Sequence, residues 1–239
     1  MPAVAIGCFH EHLDPVPATT SIVAVDVIRA TTTAITAAAR GRRLYPAGSI
    51  EASVRLAADL DRPILAGELG GVQPYGFDLQ NSPTQIAELE DSPRPIILLS
   101  TSGTRLIAEA SRHGETFICC LRNTDSQAAH LCGVARDVLI LGADSRGEFR
   151  EEDQLCAARI AERMVQDGYQ LADGQTEEVL ERFGGAPDDA FIDGRSAQYL
   201  RDTGQERDLA FVLEHVRDID SVFRVEQGEV RPARGGGRT

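Results

Sequence analysis

Five polar clusters in this sequence carry residue types that handle phosphate or another small oxyanion, and each follows a short apolar run. The first is Asp26, Arg29 and Thr31 to Thr33, directly after Ile22 to Val25. A buried strand that stops on an acid and passes through Arg and Thr into an alanine-rich helix gathers three anion-binding features. These are unpaired backbone N–H groups, the positive end of a helix and a two-pronged guanidinium. Asp26 could hold a divalent cation there or act as nucleophile or base. Equally, Thr31 could be only a cap and Asp26 an ordinary strand end. The second cluster is Glu68, Gly70 and Gly71, with Phe77, Asp78, Asn81 and Ser82 further along the same loop. Glu68 and Asp78 are hard oxygen donors suited to Mg²⁺, whereas Ser82-Pro83 reads as a helix start. The third, Thr101-Ser102-Gly103-Thr104, is either a nest of N–H groups and hydroxyls for phosphate oxygens or a helix cap. Arg122 and Asn123 make the fourth, as an anion ligand or a surface ion pair. The fifth runs from Asp144 to Asp153, where Glu151, Glu152 and Asp153 suit a helix N-terminus and Asp153 is a further catalytic candidate. His10 and His12 have no evident third ligand and read as loop residues.

Such clusters need a frame that brings them together. The spacing predicts strands over 3–8, 22–26, 43–47, 63–67, 95–100, 116–120 and 138–142. Helices are expected to follow Thr33, then from Ser49 to Leu60, Pro83 to Leu89, Thr104 to His113, Asp125 to Cys132 and Glu152 to Gln166. Strand, loop and helix in repetition describe a mostly parallel sheet covered by helices, an α/β fold. In an open sheet of that kind the ligand sits beyond the carboxyl ends of the strands, where all five clusters fall. After Gln166 the pattern predicts helices over 174–183, 193–204 and 208–215 and a closing strand over 221–225. No repeat or linker divides the chain. A single domain is expected over 1–226, followed by a disordered Gly- and Arg-rich tail over 227–239.

The totals exclude several functions. With 24 basic and 37 acidic side chains in 239 residues, the net charge is -13, which argues against a nucleic-acid or anionic-membrane surface. Every basic residue among those 24 is Arg, so no lysine is present to serve as Walker lysine, Schiff base or general base. A P-loop and a GxGxxG after a strand are missing as well, which disfavours nucleotide binding. Cys8, Cys119, Cys120, Cys132 and Cys156 match no zinc spacing and are expected as thiols in a reducing, cytoplasmic setting. No signal-peptide pattern opens the chain and no run is long enough to span a membrane. A homodimer is the base expectation for an enzyme of this size.

Taken in order, several stretches resemble the 2-phosphosulfolactate phosphatase family. They are Val25 to Thr33, Gly48 to Ala52, and Leu65 to Glu68 with Gly70-Gly71. Gly76 to Leu79 with Asn81-Ser82-Pro83, Thr101 to Thr104, and Glu152-Asp153 with Leu155 to Ala157 complete the set. The similarity covers roughly 20–165. It departs at Cys120 to Asp125, at Ala143 to Arg150 and at Asp193 to Ser196. The resemblance implies a three-layer α/β/α fold with a mostly parallel, mixed sheet. It also implies Mg²⁺-dependent hydrolysis of the phosphate ester of 2-phosphosulfolactate to 3-sulfolactate and phosphate. On that basis Asp26, Arg29 and Glu68 are the expected catalytic residues, and Asp26, Glu68 and Asp78 the expected metal set. Thr31, Thr32, Thr101, Ser102, Gly103 and Thr104 are assigned to the phosphoryl oxygens, and Arg122 and Asn123 to the sulfonate or carboxylate end. The rival expectations are a phosphatase for another phosphorylated hydroxy acid, and a non-catalytic sensor of small anions.

Overall fold

The computed structural model describes residues 1–9, 16–91, 93–145 and 147–233. His10 and His12 lie outside them. Ten strands form one sheet: β1 (Ala3–Cys8), β2 (Ser21–Val25), β3 (Leu44–Ala47), β4 (Ile64–Gly67), β5 (Ile96–Leu99), β6 (Thr116–Cys119), β7 (Val138–Gly142), β8 (Gln170–Leu171), β9 (Phe223–Glu226) and β10 (Glu229–Pro232). The helices among the described residues are α1 (Ala30–Ala39), α2 (Ile50–Ala58), α3 (Pro83–Ala87), α4 (Gly103–His113), α5 (Thr124–Cys132), α6 (Glu151–Gln166), α7 (Gly174–Phe183), α8 (Arg195–Asp202) and α9 (Glu206–Glu214). The expected elements are present with ends shifted by a few residues. β8 and β10 were not foreseen.

Every residue of β2, β5, β6 and β7 is buried, as expected of central strands covered on both faces. Alternation then sorts their side chains. Val23, Val25, Phe117, Cys119, Val138 and Ile140 face one core with α5 and α6. Ile22, Ala24, Ile118, Leu139 and Leu141 face another with α1 and α4. Helices therefore cover both faces of the sheet, in three layers. α1 is Ala- and Thr-rich all round and buried along nearly its whole length, which small side chains permit.

Strand order is β4-β5-β3-β10-β9-β6-β2-β7-β1-β8. Two parallel blocks, β4-β5-β3 and β6-β2-β7-β1-β8, are joined by the antiparallel hairpin β9-β10, whose outer edges pair with β6 and β3. Gln227 and Gly228 turn that hairpin with φ of 50° and 77°, the double positive φ of a type I′ turn. Three antiparallel pairings in a row make the two blocks run in opposite senses. Sheet twist of about 20–25° per step, summed over the strands between β2 and β5, rotates them by roughly 100–125° and swings their carboxyl ends toward one another. The tail boundary expected at 226 is corrected by β10: Val230 is 2% exposed between β9 and β3. A strand this short, behind a Gln-Gly turn, carries too little alternation to be seen in sequence. Among the described residues no helix is long and apolar enough to cross a membrane.

Candidate active site

β2 passes into α1 through a turn built by its own hydroxyls. The Asp26 N–H donates to Thr31 Oγ1 at 3.0 Å, the Thr31 hydroxyl donates to the Asp26 carbonyl at 2.8 Å, and the Thr32 hydroxyl donates to the Val27 carbonyl at 2.7 Å. The Ile28–Arg29 peptide is cis. Thr31 and Thr32 were expected to hold phosphoryl oxygens. Their hydroxyls are instead engaged by backbone groups, and neither residue lines the cavity described next.

That cavity, of about 320 Å³, lies beyond the carboxyl ends of β2, β4, β5 and β7. Asp26, Arg29, Glu68, Gly70, Gly71, Thr101 and Ser102 from the expected clusters line it together. Ser102 precedes α4, whose first residue is Gly103. A Cβ on Gly103 would stand 2.0 Å from Asp26 Oδ2, so glycine is what allows the carboxylate to rest against the first turn of this helix. Burial pushes the Asp26 carboxyl up to about 7 against a hydrogen bond from the Ala30 N–H. Glu68 and Glu152 push it further and Arg29 opposes them.

Two more buried acids come from the start of α6. Asp153 Oδ1 accepts the Val27 N–H at 2.7 Å, and burial, with Asp26 and Glu152 close by, holds its carboxyl well above the usual range. Burial also raises Glu152, against a hydrogen bond from Ser196, and its Oε2 is buried without a hydrogen-bond partner among the described residues. Acids at a helix start are favoured by the helix dipole in any protein. What local sequence could not show is that these two point into the same cavity as Asp26.

Glu68 organises the facing wall. Its Oε1 accepts the Thr101 N–H at 2.7 Å, and its Oε2 accepts the Gly71 N–H at 2.6 Å and the Thr101 hydroxyl at 2.8 Å. Arg29 is 5% exposed, and its Nη1 donates to Asp208 Oδ2 at 2.5 Å. Ser82 caps α3 as expected, and its hydroxyl also reaches Asp208 at 2.6 Å.

Other expected site residues lie elsewhere. Arg122 makes a two-pronged ion pair with Asp218 at 2.9 and 2.6 Å and donates to Thr36. Asn123 is fully buried, accepts the Cys120 N–H and donates to the Ser221 carbonyl. Both residues brace the segment that leads into β9. Thr104 exchanges hydrogen bonds with Ser100 and shapes the β5–α4 turn. Asp78 is exposed and accepts the Leu65 N–H at 2.9 Å, outside the cavity. The set Asp26, Glu68 and Asp78 therefore does not assemble, and among the described residues no three His, Cys, Asp or Glu side chains converge as a metal-binding group. Mg²⁺ characteristically takes one or two carboxylates plus phosphate oxygens and water. Glu152 with Asp153 fits that requirement: two hard oxygen donors close enough for Glu152 to raise Asp153, with Glu152 Oε2 unpartnered among the described residues.

Glu148 and Arg150, inside the fifth cluster but given no role there, also line the cavity, as do Arg195 and Tyr199, which no cluster included. Arg195 and Tyr199 belong to α8, which only long-range packing brings over the carboxyl ends of the sheet. The Asp193 to Ser196 stretch stood out in sequence only as a departure from a familiar pattern.

A sequence model of the family described as 2-phosphosulpholactate phosphatase matches residues 10–228. Three relatives each bear the name "Probable 2-phosphosulfolactate phosphatase". The one from Symbiobacterium thermophilum is 33% identical over 196 residues, covering 79% of this chain and 84% of that protein. The one from Caldanaerobacter subterraneus subsp. tengcongensis is 27% identical over 221 residues, covering 88% and 90%. The match to the Clostridium beijerinckii protein, 33% over 146 residues, spans 60% of this chain and 61% of that relative.

Proposed function

Since the chain belongs to the 2-phosphosulpholactate phosphatase family, we propose that it is a phosphoric monoester hydrolase that releases phosphate from 2-phosphosulfolactate, leaving 3-sulfolactate, with Mg²⁺ as cofactor. The observation that carries the reading beyond kinship is the position of Asp26. It is a buried acid brought near neutrality, set against the first turn of α4 and beside Arg29. Phosphoryl transfer asks the protein mainly for positioning and charge stabilisation. The N–H groups of the α4 start, the Ser102 hydroxyl and the guanidinium nitrogens of Arg29 not engaged by Asp208 receive the phosphoryl oxygens. With its carboxyl brought to about 7, Asp26 is protonated in about half of the molecules at neutral pH and is the group able to pass a proton to the leaving alkoxide oxygen. Burial, with Glu68 and Glu152 nearby, is what raises the Asp26 carboxyl, and Asp153, through the Val27 N–H, fixes the turn that carries it. Glu68 fixes the Thr101 and Gly71 backbones that close the opposite wall. Glu152 with Asp153 would hold Mg²⁺, leaving Asp26 free to carry its proton, and when bound the ion would supply charge neutralisation at the phosphoryl oxygens.

The test is phosphate release from racemic phosphosulfolactate with Mg²⁺, without it and with EDTA. Metal-dependent release supports both substrate and cofactor. Release from phospholactate or phosphoglycerate but not from phosphosulfolactate would keep the chemistry and remove the substrate.

A further inference from the structure

Where an anionic substrate must arrive, acid groups outnumber basic ones. Among the described residues six carboxyl groups, three of them (Asp26, Glu152 and Asp153) raised by burial, line the cavity against three guanidinium groups, and one of those, Arg29, is already paired with Asp208. At the outer end the excess has a specific form. Glu148 bridges two arginines: its Oε2 accepts from Arg150 Nη1 at 2.7 Å, and its Oε1 accepts from Arg195 Nη1. The same three side chains line a second, outer cavity of about 450 Å³, so the trio forms the partition between the deep cavity and the surface.

The three members are held very differently. Arg150 is largely buried, with 14% of its side chain exposed. It is anchored independently of Glu148 by the Ser145 carbonyl at 3.3 Å and the Ser145 hydroxyl at 3.1 Å, and its Nε is buried without a partner among the described residues. Glu148 is 41% exposed and Arg195 is 73% exposed. If the Glu148 carboxylate swings outward, Arg150 keeps its place and its position facing the cavity, and Arg195 is left as a mobile second prong. Two guanidiniums around one carboxylate make a fork that fits a planar carboxylate or a sulfonate equally well.

We propose that Arg150 and Arg195 are the recognition fork for the non-phosphate acid group of the substrate, and that Glu148 is a place-holder that this group displaces. The identity of the ligand rests on the phosphatase reading above. Glu148 then sets specificity: a ligand bearing a second acid group replaces it on the arginines, while a simple phosphate has nothing to exchange for it.

Calorimetric binding of 3-sulfolactate to the wild-type chain, Glu148→Gln and Arg195→Met tests this, with inorganic phosphate as the second probe. Removing the internal competitor in Glu148→Gln should tighten sulfolactate about two- to fivefold, the scale of a partly exposed ion pair. Arg195→Met should weaken it by a similar factor, and phosphate affinity should change by less than about twofold in both. Weaker sulfolactate binding in Glu148→Gln would mean that Glu148 merely orients the arginines, and would overturn the proposal. So would unchanged affinity in both variants, or no binding to the wild type. Phosphate release from phosphosulfolactate by the wild type is measured alongside. The binding pattern without release sinks the phosphatase reading and keeps the fork, and release without the pattern does the reverse.

Discussion

Asp26 occupies the space that a side chain on Gly103 would need, and this one contact separates two effects of the same substitution. In the first turn of an exposed helix, Gly→Ala stabilises by up to about 1 kcal/mol. At Gly103 the added Cβ would meet Asp26 Oδ2 at 2.0 Å and the Ala30 Cβ at 2.7 Å. Gly103→Ala should therefore cost about 1–3 kcal/mol in thermal unfolding. By moving the carboxylate it should also lower kcat about 100-fold or more. A variant that melts higher and turns over normally would remove Asp26 from the centre of the reaction. Asp26→Asn makes the complementary prediction. Its kcat should fall by about 10²–10⁴, while its melting temperature stays level or rises, because a carboxyl whose ionisation burial disfavours is replaced by a group that carries no charge at any pH. Loss of turnover together with loss of fold would instead assign Asp26 a structural task. That Asp26, Arg29, Glu68, Thr101 and Ser102 would meet around one cavity was legible because each sits within a few positions of a strand's carboxyl end. Arg122 looked the same by that criterion, yet its partner Asp218 lies 96 residues away and local spacing holds no trace of it.

Between elements, the site depends on one buried ion pair. Arg29 at the start of α1 meets Asp208 on α9, and Asp208 also accepts from the Ser82 hydroxyl and, at 3.3 Å, from the Thr84 N–H at the head of α3. A single carboxylate thus ties three helices together beside the cavity. Removing one partner of a buried pair leaves the other charge uncompensated, so Asp208→Ala should lose about 3–5 kcal/mol in urea unfolding. Its KM for the phosphate ester should rise as Arg29 loses its fixed orientation. Stability within about 0.5 kcal/mol of wild type, the range of an ordinary surface change, would show that Arg29 finds another partner. Much of the element order could be read from the sequence, since short apolar runs bounded by turn residues mark buried strands. The linkage through Asp208 could not. An acid in the first turn of a helix is favoured by the helix dipole anyway, and nothing local marks it as the counter-charge of an arginine 179 residues earlier.

At the scale of the whole molecule, the two parallel blocks of the sheet are held together by β9 and β10, which arrive last in the chain. Only Val230↔Leu44 registers β10 against β3, so side chains must reinforce that seam. Glu229 does so. It accepts from Arg43 at 3.1 Å, from the Tyr45 hydroxyl at 2.8 Å and from Arg231 at 2.9 Å, joining β10 to β3. Burial alone would raise its carboxyl, but the hydrogen bonds from Arg43, Arg231 and Tyr45 outweigh that and bring it down to about 2. A carboxylate held below its ordinary value of 4.5 binds fewer protons in the folded than in the unfolded chain. Its stabilisation is therefore complete above the ordinary value and disappears as pH falls through the folded one. Because Arg43 and Arg231 are about half exposed, the contribution should be about 1–2 kcal/mol, smaller than the full shift implies. Urea unfolding at a series of pH values should show the wild type losing that amount between about pH 5 and 2 beyond what Glu229→Gln loses. The variant should already be weaker at neutral pH. With the seam loosened, the β4-β5-β3 block should exchange its amide hydrogens faster than β2 and β7 do, since β2 and β7 pair with parallel neighbours on both sides and do not depend on the hairpin. Parallel acid curves for wild type and variant, with uniform exchange across both blocks, would show that main-chain pairing alone closes the sheet.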